Sequence, residues 1–342
     1  MVDFPGPRDP SHLHVSRRHF FGLGTSSLAL LLASCGQTQP GSSTSKGVSI
    51  APTLRLAFQP PYIGVFVLQQ QKLLEQAFKG TSIDIQYRLL LSLDPIAEAL
   101  SGGSVDLGMG GTPIAAIASH QPIRVVAVVE HSPKTHAILV RSNSSIKTIQ
   151  DLKGKKIGGP SGKNDSFPLL VLQRAGIKET EVEWLKLENN EGRSALLTGA
   201  IDAWRTWDPF YADIQTTKEA IPLVDGESYI QNYVALFGRT NYVTSYPDTV
   251  KRFIQAYKQA LDYVKSHHTT AVNLFVEKNK LTSQVAELTL SRRQYVIEAP
   301  TQDYIDDLVQ QSKLLKQFGV LQQEPDWTTV VDTTLAKQAL GS

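Results

Sequence analysis

Apolar and polar positions alternate along the first part of the chain as they do in strands separated by helices. Every second residue is apolar at 54–58 and again at 83–87, and such runs predict half-buried strands. The stretch between them, 64–78, has apolar residues at helical spacing, and 95–100 forms a shorter helical pattern. The nearly continuous apolar run at 124–129 predicts a strand that is buried on both faces.

The same alternation continues to about residue 238. Further strands are predicted at 105–108, 136–140, 155–158, 182–187, 201–204 and 233–238. Helices are predicted between them at 114–119, 149–152, 168–174 and 194–198. Strands interleaved with helices indicate mainly parallel sheets, and therefore α/β layers.

The last third of the chain is predicted to be helical. Pro247 begins a long pattern in which apolar residues recur every 3.6 positions from Val250 to Val264. Asp248 lies in the first turn, where a carboxylate suits the helix dipole. Further helices are expected at 282–291 and 301–318, so the chain is predicted to hold two α/β regions and a helical C-terminal region.

The N-terminal 34 residues have the pattern of an export signal. Paired arginines, Arg17 and Arg18, precede a short apolar stretch at 28–33, and the order resembles a twin-arginine signal. Cys35 ends the apolar stretch as in a bacterial lipobox, which predicts lipidation; a plain signal peptide with an incidental Cys is the alternative. The Ser- and Gly-rich segment 35–51 predicts a flexible tether to a domain that works near a membrane.

Composition narrows the class of protein. The chain has 342 residues, of which 41% are hydrophobic and 19% are charged. This length and composition suffice for about two globular domains of ordinary size. Its 34 basic and 32 acidic residues leave a net charge of +2, which argues against a nucleic-acid partner. A single Cys allows neither an intramolecular disulfide nor a thiolate metal cluster.

Motifs of catalysis are missing from the sequence. The five histidines beyond residue 35 have no metal-ligand spacing, and the chain contains no G-x-S-x-G, P-loop or dinucleotide-binding glycine pattern. We therefore predict a binding protein rather than an enzyme, with no cofactor and no metal.

Two junctions between a strand and a helix are candidate anion sites. At the first, Gly111 and Thr112 precede Pro113, so that Thr112 is predicted to cap a helix and Gly111 to admit a ligand near backbone N–H groups. A well-capped tight turn would have the same sequence. The second junction, 158–166, offers small and polar residues and one cation, although a flexible surface loop is the alternative; its candidates are Ser161, Gly162, Lys163, Asn164 and Asp165.

Two of the four tryptophans lie three residues apart, at Trp204 and Trp207. Their place just after a predicted strand suits the wall of a cleft, whereas an isolated Trp is more often in a core. Asp208 follows them and either orients an indole, meets a ligand ammonium or serves as a structural turn acid. We also predict ligand contacts from Gln59, at the end of the first strand, and from Lys134.

The segment 202–210, DAWRTWDPF, resembles the DAWxxWDPY segment of aliphatic-sulfonate-binding proteins, the solute receptors of bacterial ABC importers. Ser132-Pro133-Lys134 and the stretch 151–157, DLKGKKI, are similar to further motifs of that group, which includes nitrate, taurine and thiamine-precursor receptors. Two positions depart from the family pattern: Thr112 replaces an Asp, and the loop 161–165 lacks the family's His.

The resemblance implies a type II periplasmic-binding fold with a ligand cleft between two α/β lobes. Lobe 1 would comprise 52–131 and 236–342, and lobe 2 would comprise 132–235. The crossing segments are expected at 131–135 and 234–237, with Pro133 and Gly238 as hinge candidates.

The resemblance also implies the function. A monomeric extracytoplasmic receptor would hold an anionic head on backbone N–H groups of the two junctions, cover an alkyl chain with Trp204 and Trp207, and deliver the solute to a membrane permease. Receptors for nitrate, taurine or a thiamine or pyrimidine precursor are alternatives, and an enzyme on the same scaffold is another.

Overall fold

The computed structural model describes residues 48–341 and contains two β-sheets covered by helices. The predicted signal segment and Cys35 lie outside the described residues. Within 48–341, no helix combines the length and the apolar character that crossing a membrane requires. The strands are β1 (Thr53–Phe58), β2 (Asp84–Leu89), β3 (Leu107–Gly110), β4 (Ile123–His131), β5 (His136–Arg141), β6 (Lys156–Gly159), β7 (Glu183–Lys186), β8 (Ala203–Trp207), β9 (Ala220–Asp225), β10 (Tyr233–Arg239) and β11 (Tyr295–Glu298).

Helices follow most of these strands. They are α1 (Ile63–Gln70), α2 (Leu73–Ala77), α3 (Leu93–Ser101), α4 (Ile114–Ala118), α5 (Ser166–Arg174), α6 (Asn189–Thr198), α7 (Phe210–Thr217), α8 (Thr240–Ser245), α9 (Pro247–Ser266), α10 (His268–Asn279), α11 (Ser283–Ser291), α12 (Gln302–Gln317), α13 (Trp327–Val330) and α14 (Leu335–Leu340). Short 3₁₀ turns lie at Pro133–Thr135, Ile149–Leu152 and Glu179–Glu181.

The two sheets repeat one strand order. The first sheet runs β11-β4-β10-β3-β1-β2, and the second runs β7-β6-β8-β5-β9. In each sheet one strand, β1 in the first and β6 in the second, lies between two parallel neighbours. An antiparallel strand then adjoins one of these neighbours: β10 pairs with β3, and β5 pairs with β8. The carboxyl ends of β1 and β3 in one sheet, and of β6 and β8 in the other, carry the residues of the cleft described below, as is usual for open α/β sheets.

The chain passes between the sheets twice. The first crossing joins β4 to β5 through the predicted region around Pro133. The second lies at 226–232, so its expected place at 234–237 is wrong, because those residues pair with β3 and β4 inside the first sheet. The two crossings touch each other, since the amide of Asn232 donates to the carbonyl oxygen of Ser132 over 2.8 Å.

Gly238 also differs from its predicted role as a hinge. It pairs with Leu107 and Arg124 within the first sheet, and a Cβ there would come within 2.6 Å of the Leu107 side chain. Gly238 is therefore required by close packing.

The helical pattern at 64–78 forms two helices, α1 and α2, instead of one. Lys72 between them has a left-handed φ of 51°, which ends the first helix. The long pattern after Pro247 is confirmed as α9, whose apolar stripe from Val250 to Val264 is buried against the first sheet and α1. Burying each large apolar side chain contributes about 1.5–3 kcal/mol, so this stripe holds the C-terminal region on the sheet.

Residues 49–51, which the sequence assigns to the end of a tether, belong to the folded unit. The N–H of Ser49 donates to the Asp248 carboxylate over 2.8 Å, and the N–H of Ala51 donates to the Thr249 hydroxyl over 2.8 Å. Ala51 is buried, so this stretch is part of the folded unit.

Candidate functional site

A cleft of about 260 Å³ lies between the carboxyl ends of the two sheets. Its lining includes seven of the residues that the sequence predicts as ligand contacts: Gln59, Gly111, Thr112, Ser161, Asn164, Asp165 and Trp207. Residues far apart in the chain thus share one cavity, of a size that suits a small organic ligand.

Strand β8 divides the two predicted tryptophans between its faces. Side chains alternate along a strand, so Trp204 and Thr206 face one side while Arg205 and Trp207 face the other. Trp207 lines the cleft. Trp204 is fully buried in a separate core with Leu139 and Leu196, so its predicted place on the cleft wall is wrong.

Arg205 is a cation of the cleft that was not predicted from the sequence. Its guanidinium carbon lies 4.9 Å from the centre of the Trp207 ring and 5.8 Å from that of Phe167. Its Nε lies 2.5 Å from a carboxylate oxygen of Asp165, and only 7% of the residue is exposed. Among the residues at 48–341, nothing accepts a hydrogen bond from Nη1, and the ion pair of Nε with Asp165 lacks hydrogen-bond geometry. A desolvated guanidinium with a spare donor is a strong receptor for an anionic group.

A second guanidinium lies in the opposite wall. Arg293, just after α11, pairs with Glu130 over 2.6 Å, and both side chains are almost completely buried. Burial opposes the charge of Arg293, but the carboxylate of Glu130 together with the nearby Tyr295, Tyr62 and Asp208 outweighs that effect and raises the pKa of the guanidinium. Arg293 therefore stays charged beside the cleft.

Thr112 does not cap α4. The helix begins after Pro113 and has five residues, while the Thr112 hydroxyl lies 2.5 Å from the hydroxyl of Tyr304 on α12. A helix this short contributes little dipole. Gly111 beside it has open space where a Cβ would be, so a ligand can approach the backbone there.

The loop after β6 supplies fewer backbone donors than expected. The N–H groups of Gly162 and Asn164 are used within the turn, where they donate to the carbonyl oxygens of Gly159 and Ser161. Gly162 has a φ of 54° and backs onto Lys186, and Lys163 is exposed, so both lie outside the lining of the cleft. Asn164 and Ser161 remain in the lining.

Asp208 and Lys134 also lie outside the lining of the cleft. Asp208 is fully buried, pairs with Arg292 over 3.0 Å and accepts a hydrogen bond from the N–H of Ala212, which is the structural role that the sequence left open. Burial raises its pKa to about 6, against the effect of Arg292. Lys134 is half exposed and pairs with Glu227 over 2.8 Å at the rim of the crossing.

Other lining residues were not predicted from the sequence. His136 begins β5, and burial lowers its pKa well below 6.5, so it is neutral and adds no charge to the cleft. Tyr304 and Asp307 come from α12. No local motif marks them, because they join the cleft through packing between distant parts of the chain.

Comparison with known proteins identifies the family and the fold of this chain. Residues 78–271 match the model of the family described as NMT1/THI5 like, and the chain belongs to that family. The alkanesulfonate-binding protein SsuA from Xanthomonas axonopodis pv. citri, whose structure was determined with bound MOPS, is 26% identical, with a TM-score of 0.78 over 83% of this chain and 99% of that one. The predicted fold, two α/β lobes of the periplasmic-binding type, is confirmed.

Two relatives carry related names. A Bacillus subtilis protein provisionally named aliphatic sulfonates-binding protein is 26% identical over 91% of this chain and 93% of its own length. An Escherichia coli protein with the same provisional name is 28% identical over 76% of this chain and 82% of its own. These relatives are named as binding proteins.

One enzyme shares the fold. The desulfurization enzyme DSZB has a TM-score of 0.62 at 15% identity, over 85% of this chain and 99% of that one. At that identity the likeness concerns the fold alone.

Proposed function

We propose that this chain is the extracytoplasmic solute-binding protein of an ABC importer and that it captures a small organic anion of the aliphatic sulfonate type. The observation that carries this proposal is Arg205, a buried guanidinium with a spare donor between the rings of Trp207 and Phe167. The sulfonate-binding names of its relatives support the same ligand class.

In this account the sulfonate accepts hydrogen bonds from Arg205 and from the polar lining of the facing lobe. Each hydrogen bond to a charged group contributes about 1.5–3 kcal/mol, so three of them, less the cost of ordering, approach the roughly 8 kcal/mol of a micromolar site. The alkyl chain lies against Trp207, where each buried methylene adds about 0.8 kcal/mol.

Closure of the two lobes would present the solute to the permease. A ligand favours the closed state only through contacts that the open state lacks. Contacts across the cleft already join the lobes, since the Ser166 hydroxyl donates to the side-chain oxygen of Gln311 over 2.8 Å and Lys186 pairs with Asp94 over 3.1 Å. A ligand held by Arg205 and by Thr112 would strengthen the same closed arrangement.

We further propose that the protein acts as a monomer held at the membrane by a lipid on Cys35, as its sequence predicts. Mass spectrometry of the mature protein tests the anchor, since an acylated Cys35 supports it and an unmodified N-terminus contradicts it. Light scattering measures the mass of the protein in solution and so tests whether it is a monomer.

A thermal-shift screen followed by calorimetry tests the ligand class. We expect n-alkanesulfonates to raise the melting temperature, and nitrate and thiamine precursors to leave it unchanged. Stabilisation by nitrate alone would contradict the proposal. Turnover of a bound sulfonate, detected by mass spectrometry, would favour the second candidate function, an enzyme on this scaffold. The observation behind this candidate is that the enzyme DSZB has a similar fold.

A further inference from the structure

One carboxylate of the cleft lies where it opens into a second cavity. This second cavity, about 300 Å³, lies between α5 and α12 and shares four lining residues with the cleft: Ser166, Ile230, Asp307 and Gln311. Asp307 projects from the middle of α12, on the same helix as Tyr304. It therefore stands at the end of any ligand that extends from the cleft toward this opening.

The other carboxylates that line the cleft each have a cation. Glu130 pairs with Arg293, Asp165 pairs with Arg205, and Asp94 pairs with Lys186.

Asp307 differs from these three. It accepts a hydrogen bond from the side-chain amide of Gln311 over 2.7 Å. None of the ion pairs within 4.0 Å that residues 48–341 form includes it. The cleft therefore carries one carboxylate charge that the described side chains leave unpaired.

Its surroundings make this charge costly. Burial raises the pKa of Asp307, and the hydrogen bond from Gln311 and the more distant charge of His131 only partly offset the rise. A partly desolvated carboxylate gains most from a cation placed beside it. An anionic ligand without such a cation would add a second negative charge to the same cavity.

We propose that Asp307 binds a cationic group of the ligand, so that the cleft selects zwitterionic sulfonates that carry an ammonium group at the far end of the chain. This inference rests on the proposed function, because Arg205 must hold the sulfonate for the ammonium to reach α12. It makes Asp307 a specificity-determining residue and Arg205 the general anion receptor.

Two ligands of equal shape test the proposal by calorimetry on the purified protein. n-Butanesulfonate and aminopropanesulfonate differ only in a terminal methyl against a terminal ammonium. We expect the wild type to bind aminopropanesulfonate about tenfold more tightly, as a charge-assisted hydrogen bond allows. In the Asp307→Asn variant the preference disappears, and n-butanesulfonate binds at least as tightly as it does to the wild type, because a negative charge has been removed from the cleft.

The matched control is Asp94→Asn. Asp94 also lines the cleft, but its charge is already paired with Lys186, so this variant keeps the preference for the ammonium ligand. Asn at position 307 still accepts the hydrogen bond from Gln311, and a thermal melt checks that both variants fold.

Equal affinities of the wild type for the two ligands would overturn the inference and leave the proposed function standing. A preference that survives in Asp307→Asn would also overturn it. If no sulfonate binds the wild type at all, the proposed function fails, and the inference fails with it.

Discussion

Arg205 and Trp207 lie on one face of β8, with the guanidinium carbon 4.9 Å from the centre of the indole ring. This pair combines a charge that receives an anion with an apolar surface that receives a hydrocarbon chain. Phe167 and Asp165, at the start of α5, hold the guanidinium from the other side. The contact explains how one short strand presents both halves of an amphiphilic ligand to the cleft.

Replacing Arg205 by Gln should weaken binding of n-butanesulfonate about thirtyfold. The change removes one charged hydrogen bond, worth about 1.5–3 kcal/mol, and leaves Asp165 without its cation. Calorimetry measures the loss. The matched control is Arg193→Gln, which removes an Arg paired with Asp213 and Glu219 away from the cleft and should leave the affinity unchanged. Equal losses in the two variants would contradict the role of Arg205.

Replacing Trp207 by Ala should penalise long alkyl chains more than short ones. Each methylene that the indole covers is worth about 0.8 kcal/mol, so the affinity lost should grow from ethanesulfonate to pentanesulfonate. Titration of the homologous series measures the slope. A loss that is the same for every chain length would remove Trp207 from the tail site.

Replacing Trp204 by Ala should act on stability instead. The side chain is completely buried beneath α6, and emptying such a site costs about 3–5 kcal/mol in the free energy of unfolding. Chemical denaturation measures this cost, and the dependence of affinity on chain length should match the wild type. A changed dependence would place Trp204 at the ligand after all.

Substitutions at two glycines should likewise affect ligand binding in one case and stability in the other. Gly111 lines the cleft with open space at its Cβ position, so Gly111→Ala should weaken sulfonate binding and leave the melting temperature unchanged. A Cβ on Gly192 would collide with the indole of Trp204, so Gly192→Ala should lower the free energy of unfolding by about 1–3 kcal/mol and leave the affinity unchanged. The opposite pattern in melts and titrations would contradict the location of the cleft.

Titration of Asp208 should make the free energy of unfolding depend on pH. Its pKa is about 6 in the folded protein against an ordinary value of 3.8, so the folded state keeps a proton that the unfolded state has released. The contribution of Asp208 to the free energy of unfolding therefore falls by about 3 kcal/mol as the pH rises from about 4 to about 6.

Denaturation of the wild type and of Asp208→Asn across that range measures the difference. Asp248 is the control of opposite sign, because hydrogen bonds from Lys251 and from the Ser49 N–H lower its pKa, and its contribution to stability is lost as the pH falls. Parallel curves for the wild type and Asp208→Asn would contradict the burial of that carboxyl.

Local patterns predict much of this fold, because they depend on residues that are close in sequence. The stripe of α9 and the period-two run of β1 are examples, and both elements occur within a residue or two of their expected bounds. The junctions after β3 and β6 follow from strand–helix alternation, and Gly111 and Asn164 do line one cavity.

The core location of Trp204 could have been predicted from the sequence, through the alternation of side chains along β8. Residues three apart in a strand face opposite sides, so the strand alternation already separates Trp204 from Trp207 and groups Arg205 with Trp207. The two tryptophans therefore do not form one aromatic wall.

Other features depend on contacts that no local pattern encodes. Thr112 meets Tyr304 across 192 positions of sequence, and Asp208 meets Arg292 across 84. The packing of the C-terminal helices decides which residues of α12, and of the segment just after α11, reach the cleft. Asp307 and Arg293 are therefore identified as cleft residues only by the three-dimensional structure.

A crystal structure of the complex with n-butanesulfonate would show where the anionic head of the ligand lies. We expect a sulfonate oxygen within about 3 Å of Nη1 of Arg205, with the alkyl chain against the ring of Trp207. A sulfonate bound elsewhere, with Nη1 of Arg205 facing only water, would contradict this expectation.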